Sequence, residues 1–189
     1  MPTPELVREF VIAGHGDLEK VTAMLAQHPD LVNAAHEWKA GDRETAIQAA
    51  AHVGNPAVAE CLLARGAPLE ICTAAMLGRR QEVERLLDAD PAAIHATGAH
   101  GIPLLAHAAL SGDAGLVEGL FRRGAHAGVS YALHTAVARG HERAARWLLE
   151  NGRPDLAWAN FEGKTALTVA TERGLEALAD LLREHGAPA

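Results

Sequence analysis

Six glycines set the frame of this chain: Gly16, Gly54, Gly78, Gly112, Gly140 and Gly174, each lying between two segments of helical periodicity. Eight positions after them stand Met24, Leu62, Leu86, Leu120, Leu148 and Leu182. Four positions before them stand Ile12, Ala50, Ala74, Ala108, Ala136 and Ala170. Seven before stand Glu9, Ile47, Ile71, Leu105, Leu133 and Leu167, a column that Glu9 alone breaks. A glycine accepts φ > 0, so it can end one helix and let the chain double back. Apolar residues at five, eight and nine positions after it share one face of a second helix. The alanines four before it let the two helices approach closely. A unit of this size cannot bury its own apolar face, so the units must stack on one another. The pattern predicts helices near 4–13, 17–27, 45–52, 56–64, 70–77, 80–88, 103–110, 114–122, 131–138, 142–150, 165–172 and 175–184.

Local motifs give the stack a likeness. One unit carries Thr45-Ala46-Ile47-Gln48-Ala49-Ala50-Ala51, then Gly54, then Cys61-Leu62-Leu63-Ala64-Arg65-Gly66-Ala67. Another has Ala132-Leu133-His134, Gly140-His141 and Leu148-Leu149, and the last has Gly163-Lys164-Thr165-Ala166-Leu167, Gly174 and Leu181-Leu182-Arg183-Glu184-His185-Gly186-Ala187. These resemble the ankyrin repeat over almost the whole chain. The resemblance implies an all-α solenoid of six helix–turn–helix units, with repeats near 4–34, 41–68, 69–96, 99–127, 129–156 and 161–187 in a single domain. It also implies that His134 and His141 hydrogen-bond backbone between neighbouring units.

The glycines are separated by 38, 24, 34, 28 and 34 residues, against about 33 in the family. The two short gaps leave no room for a hairpin finger. Long finger connections are therefore expected after repeats 1, 3 and 5 only. Gly16, Gly78 and Gly140 are each 62 apart, so the working unit is a pair of repeats with one finger. In repeats 1 and 3 the second helix should stop at His28-Pro29 and Asp90-Pro91, because proline cannot continue a helix.

Composition excludes several functions. With 17 basic and 24 acidic residues and a net charge of −7, the chain lacks the basic clusters that nucleic acid or an anionic membrane requires. No apolar run approaches the ~18–20 residues of a membrane helix. The start, Met1-Pro2-Thr3-Pro4-Glu5, has no basic region leading into an apolar stretch. The expectation is a monomeric, cytoplasmic protein, and the richness in alanine, glycine and arginine suggests a bacterial source. Gly163-Lys164-Thr165 resembles the end of a phosphate loop, but that motif needs glycine where Trp158 stands. Cys61 and Cys72 fall in helical registers of small buried hydrophobes, and Trp147 falls in the core register of its unit. The 11 histidines show no ligand spacing of the kind metal sites use, with His95, His100, His107 and His126 scattered over a connection, a helix and a turn. No metal, cofactor or catalytic site is expected.

The expected function is protein binding, as an adaptor or regulator that holds its partner on the concave face. In ankyrin stacks partners meet the finger tips and the two residues before each glycine. Here those include Gly14/His15, His52/Val53, Met76/Leu77, Leu110/Ser111, Arg139 and Arg173. Met76, Leu77 and Leu110 are apolar where solvent-facing residues are expected, which marks an interaction patch unless the missing fingers let them pack into a tighter curve. Trp38, Trp158 and Phe161 lie in the fingers, and tryptophan is a favoured hot-spot residue. An acidic inhibitor blocking a toxin or enzyme site is one alternative, and a small-ligand-binding or cryptic enzymatic protein is a second.

Overall fold

The computed structural model describes residues 2–188. Twelve α-helices run α1 (Pro4–Gly14), α2 (Leu18–Gln27), α3 (Ala46–Val53), α4 (Pro56–Leu63), α5 (Ile71–Met76), α6 (Arg80–Ala89), α7 (Leu104–Leu110), α8 (Ala114–Arg122), α9 (Val129–Ala138), α10 (Glu142–Asn151), α11 (Ala166–Glu172) and α12 (Glu176–Glu184). Each odd-numbered helix packs on the even-numbered helix that follows it. The odd-numbered helices also stack on one another in chain order, forming one continuous row.

The helix boundaries follow local chemistry. Gly54, Gly78, Gly112, Gly140 and Gly174 take φ between 65° and 75°, where a Cβ would be strained. Gly16 departs from this and is absent from the left-handed region. After three of the turns the next residue is an N-cap, with Asp17, Asn55 and Asp113 accepting from backbone amides of the second helix. Thr45 opens α3 with a reciprocal box: its hydroxyl accepts from the Gln48 amide while the Gln48 side chain accepts from the Thr45 amide. Helices α2 and α6 stop just before His28-Pro29 and Asp90-Pro91 and pass into short 3-10 turns.

Three longer connections join the helix pairs. The first is a hairpin of β1 (Ala35–Lys39) and β2 (Asp42–Thr45), antiparallel, with Ala35 opposite Thr45 and His36 opposite Glu44. Its register slips between Glu37 and Lys39, at Trp38. The second, after α6, carries 3-10 turns at Pro91–His95 and Ala99–Gly101 and one bridge between Thr97 and Pro103. The third, after α10, has one bridge between Ala159 and Thr165. The links from α4 to α5 and from α8 to α9 contain no strand.

The apolar interior forms two clusters. One gathers Phe10, Val21, Ile47, Val58 and Leu62 from α1–α4, and the other gathers Leu87, Leu105, Leu120, Leu133, Leu148 and Leu182 from later helices. Helix α5 contributes Met76 to the first and Ile71, Cys72, Ala74 and Ala75 to the second.

Candidate functional site

Burial corrects the expected interaction patch. Met76 is only 5% exposed and lies inside the first cluster. Leu77 and Leu110 are half-buried and pack against that same cluster. The side chains flanking the glycine turns of neighbouring units also pack on one another. A Cβ at Gly54 would come within 2.9 Å of the Leu110 and Arg139 side chains. The Arg139 guanidinium donates to the carbonyl of Val53, and Arg173 donates to the carbonyl of Ala138. His141 Nε2–H donates to the Leu110 carbonyl at 3.1 Å, the inter-unit bond the resemblance implies. His134 is buried beside the Trp158 ring with its Nε2 unpartnered, and the backbone of Lys164 in the next unit lies against the imidazole.

The aromatic candidates separate by environment. Trp38 is half-buried, its indole engaged inward, with Arg8 over the ring and His36 at its edge. Trp158 is half-buried between Tyr131 and His134. Both brace connections against helices. Phe161, in the same connection as Trp158, is 96% exposed. Trp147, expected in the core, is half-buried at its edge against Phe121. Cys72 is buried as expected, whereas Cys61 is half-buried beside the Thr22 hydroxyl.

Four distant positions form a polar centre that spacing did not reveal. Glu44, on β2, is 0% exposed. A buried carboxylate is costly unless it is paired, and this one is ringed. Trp38 Nε1–H donates to Oε2 at 2.7 Å, aimed by the register slip in β1. His52, near the end of α3, places Nε2 2.9 Å from Oε1, and His100 places its Nε2 3.4 Å from the same oxygen. His15, capping α1, places Nε2 3.9 Å from Oε2 and 3.2 Å from His52 Nε2. Despite these distances Glu44 Oε1 meets no donor at a hydrogen-bonding angle. Burial pushes the Glu44 carboxyl up, but the His52 and Trp38 contacts and the neighbouring imidazoles outweigh it and hold the group below its usual range.

The ring nitrogens turned away from Glu44 are also engaged. His15 Nδ1–H donates to the carbonyls of Val11 and Ile12 at 3.1 and 3.2 Å. His100 Nδ1 lies 3.1 Å from both oxygens of Asp42, and this contact holds the Asp42 carboxyl below its usual range. His100 reaches this position from a left-handed backbone, φ 58° and ψ 18°, which costs a non-glycine residue roughly 1–2 kcal/mol. The expectation of scattered histidines without a metal site is thereby corrected in its premise: His15, His52 and His100 converge. The available signal was that His15 and His52 both fall in the two positions preceding a repeat glycine. Glu44, Asp42 and His100 gave none.

A model of a single ankyrin repeat matches residues 42–74, and a model of three consecutive ankyrin repeats matches residues 105–188. The chain belongs to the ankyrin-repeat family. Together the two matches cover more than half of this ankyrin-repeat protein. None of the curated proteins matches it significantly. Ankyrin repeats generally serve as protein-interaction modules. Among the described residues no helix is long and apolar enough to cross a membrane.

Proposed function

We propose that this ankyrin-repeat protein acts as a non-catalytic binding module, an adaptor or regulator that holds one partner protein. The observation that carries the reading is the pair of ankyrin matches at 42–74 and 105–188. Contact is centred on Phe161, whose exposed ring suits a partner's apolar pocket. Arg139 and Arg173, both exposed at the inner edge, extend the surface. His52, Val53, Leu77 and Leu110 supply its partly buried floor, and Met76 is excluded by its burial. The test is affinity purification of the full chain from its native cells, followed by reconstitution of the enriched protein with purified chain. A binary complex that Phe161→Asp weakens at least about tenfold, equivalent to about 1.4 kcal/mol, is the expected result. No reproducible partner would refute the binding role. A complex indifferent to Phe161→Asp would refute the surface alone.

A further inference from the structure

We propose that His15, His52 and Glu44 form a structural site for one divalent transition-metal ion of the Zn²⁺ class, with His100 as fourth ligand. The Nδ1–H of His15 is committed to backbone carbonyls, so in the neutral ring its Nε2 carries a lone pair. The Nδ1 of His100 faces Asp42, which orients that ring in the same way. Glu44 Oε1 adds a further buried acceptor without a bonded donor. The hydrogen on His52 Nε2 can serve one of these groups. A cation among them serves all four.

The distances agree with this reading. Ligand atoms on a tetrahedral zinc, bonded at about 2.0–2.1 Å, stand about 3.3 Å apart. Here His15 Nε2 to His52 Nε2 is 3.2 Å, and His52 Nε2 to Glu44 Oε1, the oxygen left without a donor, is 2.9 Å. The ligand atoms of these three residues all lie within 4.8 Å of one another. His100 Nε2 stands 3.4 Å from Glu44 Oε1 but outside the group of three, so its ring must close inward to serve as the fourth ligand. Imidazole and carboxylate donors suit zinc and its neighbours.

The surrounding contacts are those of metal ligands. Ligating histidines donate their remaining N–H to a carboxylate or a backbone carbonyl, which fixes the tautomer. Asp42 occupies that place behind His100, the carbonyls of Val11 and Ile12 occupy it behind His15, and Trp38 holds the distal oxygen of Glu44. Four protein ligands close a site, which makes its role structural. The ion would tie the first finger and the second connection to the ends of α1 and α3.

The test is titration of chelator-treated full-length protein with Zn²⁺ near neutral pH, using a chromophoric competitor, alongside Co²⁺ as a spectroscopic probe. One Zn²⁺ per chain, a raised unfolding midpoint and the strong visible bands of four-coordinate Co²⁺ are expected. His52→Ala and His15→Gln alter half-buried helix ends, so they keep the test valid where a Glu44 variant fails to fold. Each should weaken Zn²⁺ binding by about 100-fold or more, and Asp42→Asn by about 10-fold. A folded wild-type chain that takes up no stoichiometric Zn²⁺, or binding unchanged in the His15→Gln/His52→Ala double variant, overturns the proposal.

Discussion

Arg139, on the turn after α9, donates its guanidinium hydrogen to the carbonyl of Val53, 86 residues earlier at the end of α3. The bond spans α5 and α7, and Leu110 fills the space beneath it against Gly54. Removing the guanidinium by Arg139→Ala should cost about 1 kcal/mol, a charged hydrogen bond discounted for its exposure. Leu110→Ala should cost roughly 2 kcal/mol. Because both side chains meet at Gly54, the double variant should depart from additivity by 0.5 kcal/mol or more, roughly the size seen for contacting residues. Urea unfolding of the single and double variants measures the coupling, and strict additivity would sink it.

Met76 offers a sharper contrast. Placed on an exposed edge, Met76→Glu would leave stability unchanged. Buried in the first cluster, it should cost several kcal/mol, on the order of an unpaired buried charge, while Met76→Leu should cost less than about 1.5 kcal/mol. Thermal melts of the two variants read the difference directly.

The two thiols should differ in reactivity. Burial, with Glu70 adding to it, pushes the Cys72 thiol up to about 12, so it carries almost no thiolate near neutral pH. Cys61 is half-buried. An aromatic disulfide reagent should label one thiol per native chain, and mass spectrometry should place the label on Cys61. Rapid modification of Cys72 before unfolding would contradict its burial.

His107 gives the chain an acid sensitivity. Burial holds its imidazole down at about 4, with the Pro103 carbonyl acting in the opposite direction and His52 adding to the depression. In the unfolded chain the ring takes a proton near pH 6.5. Between those values the unfolded state binds more protons than the folded one, so stability is complete above about 6.5 and falls as pH drops toward 4. The loss is about 3 kcal/mol, from roughly 1.4 kcal/mol per pH unit. Urea midpoints across that window should fall for the wild type and fall less steeply for His107→Leu. Identical slopes would show that the imidazole is protonated in the fold.

The helices were legible because their signals are local. The glycine turn, the alanine four positions before it and the leucine eight positions after it lie within one unit, and Pro29 and Pro91 stop α2 and α6 by sterics alone. The burial of Met76 was legible only as one of two outcomes, because exposure or packing there depends on how neighbouring units meet, which no single unit encodes. The polar centre was hidden for a similar reason. His15, Glu44, His52 and His100 come from two helix ends, a strand and a connection, so their convergence exists only after stacking. His100 required in addition a left-handed backbone that nothing in Ala99-His100-Gly101 announces for a histidine.

The division of the core along α5 has a mechanical consequence. That helix is six residues long and has no side-chain cap, yet it faces both clusters. Ideal solenoids fray one unit at a time, because each unit touches only its neighbours. This chain has a seam instead, with α1–α4 on one side and α6–α12 on the other apart from Leu110 of α7, which packs across it, and the Arg139–Val53 bond acts as a hasp. Hydrogen exchange should therefore resolve two blocks of protection that meet at α5, and releasing the hasp should let them open independently.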